Sequence, residues 1–223
     1  FWLLVLGVAY RRRFNRSFWV KPVSLLFYGA FIIAAIWYAP RNIPVKLERF
    51  EPPQPALVDI QAQAWWDTDW HRMPSRRNEF DDDQRWPLDV QVAGPLAPLQ
   101  AQLEARGWKR QEQAGWQQAL LMLDKNTGAD ELPVLPATLD TRVEALLMVR
   151  PGTHRDERYV LRLWPAPAQL QPGNTPLWLG SAQTMRYERH FEWIGMWHPL
   201  RGVDPALNAV KDAVQELPQR EDV

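Results

Sequence analysis

The sequence contains no cysteine. That absence removes disulfides, thiolate nucleophiles and cysteine-based metal centres, and leaves the redox compartment open. No charge of either sign is in excess, since 26 Lys and Arg balance 26 Asp and Glu. Beyond residue 40 the bases are scattered, so the clustered electrostatic footprint of a nucleic-acid binder is missing and nucleic acid is not expected as a partner. No Gly-rich phosphate cradle follows a strand, and neither a Gly-x-Ser-x-Gly elbow nor a His-Glu-x-x-His pair occurs. Internal repeats are absent, as is any low-complexity tract apart from one proline-bearing linker.

What is present first is an apolar run. Val23–Ala39 holds no charged residue, with Trp19 before it and Trp37 and Tyr38 at its end. A bilayer core needs roughly 17–25 apolar helical residues, and amphipathic aromatics favour its interfaces, so residues 22–40 predict a transmembrane helix. A buried helix of a large soluble protein is the alternative, but nothing later in the chain is apolar enough to surround it. Residues 1–10, FWLLVLGVAY, are apolar from the first residue and read as the end of an earlier span cut through at Phe1. Residues 11–21 form a basic loop. Its Arg11, Arg12, Arg13, Arg16 and Lys21 outnumber Arg41, Lys46 and Arg49 after the second span, which predicts a cytoplasmic loop and an extracytoplasmic remainder. The expected location is the inner (cytoplasmic) membrane, multi-pass, with a periplasmic C-terminal domain.

Residues 41–57 carry Pro44, Pro52, Pro53 and Pro55 and predict an extended linker. Residues 58–223 then predict one soluble domain. Asp59–Trp70 suggests a short helix capped by Asp59, with Trp65, Trp66 and Trp70 packing on the core or dipping into headgroups. Leu88, Val90 and Val92 alternate with Asp89 and Gln91 as a half-buried strand. Pro95 opens a helix with the stripe Leu96, Leu99 and Leu103, ended by Gly107. A second helix is expected over Ala114–Leu123. Glu144–Arg150 and Glu157–Trp164 read as a hairpin, Pro165–Pro176 as a loop, and Leu177–Thr184 and Met185–Trp197 as two strands, with Gly180 at a bulge or close contact. Asp204-Pro205 starts a terminal helix along Leu207, Val210, Val214 and Leu217. The fold class expected is α+β, a mainly antiparallel sheet with packed helices, preceded by one transmembrane helix and the end of another.

Candidate chemistry is sparse. The three blocks of type-2 phosphatidic acid phosphatases, Lys-x6-Arg-Pro, Pro-Ser-Gly-His and Ser-Arg-x5-His-x3-Asp, are missing; Pro151-Gly152-Thr153-His154 has a similar composition in the wrong order, in a hairpin turn. His190, Glu192 and His198 suit a metal by chemistry, yet spacing points to no third ligand beside the pair sharing a strand face, and solvent-facing edge positions account for them. The acidic run Glu79, Asp81, Asp82 and Asp83 beside Arg76 and Arg77 reads as a solvated loop. Ser181 follows Gly180 but has no base at fixed spacing. No catalytic, cofactor-binding or metal-binding residue is therefore assigned, and no cofactor is expected.

Two paired blocks resemble a known family. Leu88–Gly94 (LDVQVAG), preceded by Pro74–Phe80 (PSRRNEF) and followed by a helix ending in Gly107-Trp108, is similar to the opening of the LssY C-terminal domain. Leu161-Arg162-Leu163-Trp164 and then Pro176–Ala182 (PLWLGSA) resemble its second half. The resemblance covers residues 60–200. It implies the C-terminal part of a membrane protein carrying a type-2 phosphatidic acid phosphatase domain, often behind a DedA-like domain. The partners it implies are membrane lipids and that upstream domain of the same polypeptide. It supplies no catalytic residue.

Three functions compete at this point. One is a non-catalytic extracytoplasmic accessory domain of a lipid-phosphate phosphatase or lipid transporter, binding or presenting polar headgroups. The second is an independent hydrolase or metal-dependent enzyme with a site near His190 and Arg162. The third is a protein-interaction module of an envelope complex, anchored by Trp178 or Trp197.

Overall fold

A computed structural model of the chain describes residues 5, 6, 8, 20–47, 56–78, 85–115, 118, 120–124, 126–140, 142–190, 194–202 and 205–220. The chain divides into two units, Phe1–Gln54 and Pro55–Val223.

In the first unit the apolar run forms one 28-residue helix, α1 (Val20–Leu47). Leu25, Leu26, Ile32, Ile33, Ile36 and Trp37 along it are exposed. Among the described residues no helix is long and apolar enough to cross a membrane; the expected span is thus recovered as a helix and no further. α1 also continues through Pro40 and Pro44, where an extended linker was expected from Arg41. A proline costs a helix one hydrogen bond and a clash, about 3 kcal/mol, and here the backbone stays helical across both. The basic loop 11–19 lies outside the described residues.

The second unit begins with β1 (Val58–Gln61) and the short α2 (Ala62–Asp67), then a 3-10 turn at Asp69–Arg72. Asp59 therefore sits in a strand and caps no helix. Pairing decided this: β1 has a long parallel partner, and the Asp59 carboxylate accepts hydrogen bonds from Gln169 and Gln171 Nε2 across it. Next come β2 (Arg76–Asn78), β3 (Arg85–Pro87), β4 (Val90–Ala93), α3 (Leu96–Ala105) and β5 (Lys109–Arg110). α3 ends as the sequence foretells. Gly107 takes φ +85, its N–H reaches Glu104 O and the Trp108 N–H reaches Leu103 O, the paired bonds of a Schellman motif. Of the helix expected over Ala114–Leu123, the described residues retain helical backbone at 118 and 120 and a 3-10 turn at Leu121–Leu123.

β6 (Thr138–Leu139) and β7 (Arg142–Val143) form a small ribbon ahead of β8 (Leu146–Pro151), β9 (Glu157–Gln171), β10 (Thr175–His190), β11 (Ile194–Pro199) and α4 (Pro205–Ala213). β9 and β10 run far beyond the boundaries drawn from sequence. The expected loop Pro165–Pro176 shrinks to a turn in which Gly173 (φ +106) and Asn174 (φ +51) adopt left-handed backbone. The prolines are tolerated because the ladder shifts register between Pro176 and Trp178, and a bulge spares proline a donated bond. The expected break at Met185 disappears, since β9 pairs with β10 without interruption from Trp178 to Arg186.

β9 and β10 are the spine of a seven-stranded sheet in the order β11-β10-β9-β8-β5, with β1 also on β9 and β4 also on β10. The outer edge of β10 is shared: β4 covers Leu177–Gly180 and β11 covers Met185–His190. The outer edge of β9 is shared likewise by β8 and β1. Among the described residues the β1–β9 pairing is parallel and every other pairing antiparallel, so the α+β class with a mainly antiparallel sheet stands.

Strand alternation sends Tyr159, Leu161, Leu163 and Ala182 to one face, where Leu99 and Leu103 of α3 and Ala206, Val210 and Ala213 of α4 cover them. The opposite face carries two clusters. Trp164, Ala166, Ala168, Leu170, Leu177 and Leu179 pack under Ile60 and Trp65, while Val160 and Met185 pack under Leu132, Val134 and Trp197. Each such large side chain contributes about 1.5–3 kcal/mol by leaving water. The three tryptophans near the start of the domain belong here: Trp65 is buried, and Trp66 and Trp70 lean on the same cluster.

Candidate functional site

Between the two clusters of the second face lies a buried polar seam. Arg162, in the middle of β9, faces Ser181 on β10 and Leu147 on β8. A buried guanidinium demands a countercharge, and Glu144 provides it: Arg162 Nη1 donates to Glu144 Oε1 at 2.7 Å, with side chains 5% and 0% exposed. The remaining valences are used by the covering loop. Arg162 Nη2 donates to Leu135 O at 2.8 Å, and Glu144 Oε2 accepts the Ala137 N–H at 2.8 Å. Trp164 Nε1 donates to Ala137 O. The pair thus ties the irregular segment 135–137 to the sheet. Ser181 Oγ is buried beside it without a hydrogen-bond partner among the described residues, and no base reaches it. Sequence reasoning missed Glu144; the available signal was Arg162 itself, charged in the centre of a buried strand.

A second constellation stands at the outer end of β10 and β11. The Nε2 atoms of His190 and His198 are 2.9 Å apart, with the rings 75° to one another. Glu188 Oε2 lies 3.9 Å from His190 Nε2. The three ligand-bearing atoms all fall within 4.8 Å of one another. The fold brings them together in two steps. Glu188 and His190 are two apart on β10 and so share a face; the antiparallel register sets β11 beside them, with His198 opposite Arg186. His198 is therefore inside a strand, where the sequence suggested a strand end. Glu192 lies outside the described residues; among those described, Glu188 is the carboxylate beside the two imidazoles. The signal for Glu188 was present in Glu-x-His, one residue pair earlier than His-x-Glu.

Other candidates have structural roles. Trp197 is buried and donates to Leu132 O, and half-buried Trp178 donates to Gly94 O. Neither is an exposed anchor for a partner. His154 is exposed in the β8–β9 turn, where its carbonyl accepts the Glu157 N–H. The acidic run 79–83 lies outside the described residues. Gly180 marks close packing, since a Cβ there would sit 2.5 Å from Leu163 Cδ2.

Two further arginines are held by partners, Arg158 on the second face and Arg186, opposite Glu157, on the first. Arg158 donates to Leu132 O, Ala129 O and Asp130 O and stacks 4.4 Å from the Trp197 ring. Burial lowers its pKa from the ordinary arginine value, with Asp130 opposing. The Arg186 guanidinium is raised, chiefly by its 2.8 Å hydrogen bond to Glu157.

The model of the family described as LssY C-terminus matches residues 70–214. The chain belongs to the LssY C-terminal family. No curated protein and no solved structure matches it. The residues that carried the family resemblance are those that lock this LssY C-terminal domain together. Gln91 accepts from Trp65 Nε1 and donates to Trp70 O, clamping the tryptophan segment to β4. Asp89 accepts the Ala182 N–H. Gly94 turns the chain at φ +112, Gly107 ends α3, and Arg162 and Trp164 fix the loop over the sheet. Glu144, Ser181, Glu188, His190 and His198 all lie within the matched stretch. β1 precedes it, yet pairs with β9, so the folded unit reaches further toward the N-terminus than the family match.

Proposed function

We propose that this LssY C-terminal domain is a non-catalytic accessory domain, displayed outside the cytoplasm by a multi-span membrane protein that hydrolyses or transports lipid phosphates. Its task in this reading is to hold or present polar lipid headgroups at the membrane surface. The observation that carries the proposal is α1, which precedes the family domain and leaves Leu25, Leu26, Ile32, Ile33, Ile36 and Trp37 exposed. Keeping such side chains in water costs on the order of 1–2 kcal/mol each, and a bilayer removes that cost. The arginines of residues 11–16 favour the cytoplasmic side for the segment before α1. Membrane lipids and an upstream phosphatase or DedA-like domain of the same polypeptide are the partners this reading requires.

The test compares the full-length protein with a form lacking residues 58–223. Loss of lipid-phosphate turnover, of substrate range or of protein stability supports the accessory role; unchanged values for all of them remove it. Protease protection in sealed vesicles tests the topology, because cleavage of the domain from the cytoplasmic side alone overturns the orientation.

A further inference from the structure

We propose that Glu188, His190 and His198 form a site for one divalent transition-metal ion of the zinc type. The proposal is independent of the accessory reading and rests on the outer end of β10 and β11. Two imidazole Nε2 atoms lie 2.9 Å apart, in direct contact, close enough for one ion to replace the proton between them. With metal–nitrogen bonds of about 2.0–2.1 Å, that separation subtends an angle of about 90° at the ion, and about 0.4 Å of opening makes it tetrahedral. Glu188 Oε2 at 3.9 Å from His190 Nε2 is already within the span of two ligands on one ion. All three atoms lie within 4.8 Å of one another, against a limit of about 4.2 Å for two such bonds, so an inward swing of the carboxylate of at most about 0.6 Å completes the site. Glu188 is 47% exposed and is free to do so.

The donor set selects the ion. Two neutral imidazoles with one carboxylate suit zinc and its neighbours rather than magnesium or calcium, which take oxygen ligands. Three protein ligands leave a coordination position for water or for an anionic group of a ligand. Cations nearby are engaged elsewhere: Arg186, on the same strand face, is bound by Glu157 and faces Asp156, and Arg189, on the opposite face, contacts Tyr187 Oη. The ligands come from both strands of the hairpin, so the ion clips β11 to the end of β10.

The chain has four histidines, and His71, stacked on Trp70, and His154, in the β8–β9 turn, lie outside the cluster. The experiment uses the full chain in detergent, without a polyhistidine tag and stripped with chelator, titrated calorimetrically with zinc and spectroscopically with cobalt. Expected is one ion per chain, with a visible cobalt band, an affinity reduced more than tenfold in His190→Ala and in His198→Ala, a smaller loss in Glu188→Gln, and no change in His154→Gln. Circular dichroism of each variant confirms that the sheet is retained, and a zinc-dependent rise in melting temperature confined to the wild type supports the clip. No stoichiometric binding up to about 100 μM zinc, or binding that persists in the His190→Ala, His198→Ala double variant, overturns the proposal. In the first case the two imidazoles merely share a proton.

Discussion

Breaking the Arg162–Glu144 pair tests the tertiary logic most directly. Both side chains are almost wholly buried, and each closes a further bond to the loop above, at Leu135 O and the Ala137 N–H. Replacing Glu144 by Leu takes the countercharge from a buried guanidinium and orphans the Ala137 N–H, a loss of about 3–5 kcal/mol. Replacing Arg162 by Met strands the carboxylate and costs a similar amount. The double variant removes both charges, and its residual cost is the two orphaned backbone groups, about 1–3 kcal/mol each. The double variant is therefore expected to cost about 4 kcal/mol less than the sum of the singles. In a domain of this size each single variant lowers the melting temperature by roughly 10 °C. Urea unfolding of the full chain in detergent, followed by fluorescence of buried Trp108 and Trp164, measures all four corners of the cycle. Additivity within about 0.5 kcal/mol, or a single variant costing under about 1 kcal/mol, refutes the idea that this pair ties the loop to the sheet.

Further perturbations address packing, electrostatics and the arginine clamp. Gly180→Ala puts a methyl 2.5 Å from Leu163 Cδ2 and 3.0 Å from Arg162 O, and should destabilise by about 1–3 kcal/mol; Gly128→Ala, with open space around it, should not, and equal melting temperatures for the two would contradict the packing assigned to β9 and β10. Hydrogen bonds from Gln169 and Gln171 hold the Asp59 carboxyl below its ordinary pKa, slight burial opposing. A lowered folded-state pKa gives stability that is present above the unfolded value and lost as pH falls through the folded one. Amide protection in β1, normalised to intrinsic exchange rates, should thus decline below the usual carboxylate range and become indifferent to pH there in Asp59→Asn; an acid-insensitive wild type would count against it. Arg158→Lys loses the fork that reaches Leu132 O, Ala129 O and Asp130 O. It should cost about 1–3 kcal/mol and speed limited proteolysis near residues 129–132, and an unchanged cleavage pattern would assign that turn to other contacts.

Local signals were read well where one residue enforces one backbone state. Gly107, with φ +85, ends α3 as its place after Leu103 implies, and the alternation Leu88–Val92 marks β4. The turn before Glu157 is equally local. Errors came where a distant strand outvoted a local preference. Asp59 resembles a helix cap by itself, yet β9, more than a hundred residues away, pairs with its strand and supplies the glutamines that bind it. Pro165 and Pro167 read as loop, but they sit inside β9 because the ladder absorbs a register shift at the facing strand.

The same division governs the two constellations. Sequence by itself determined the helix over the apolar run, the α+β class and the family, because periodicity, apolar length and the blocks around Gln91, Gly107, Arg162 and Gly180 are local properties of the chain. It also singled out His190, His198 and Arg162 by chemical type. Only the tertiary structure decided their company. Hairpin register, a relation between strands, laid β11 along β10 with His198 opposite Arg186, on the face of Glu188 and His190, where the side chains reach one another. Burial, which arises when the 135–137 segment closes over the sheet, made Glu144 the obligatory partner of Arg162.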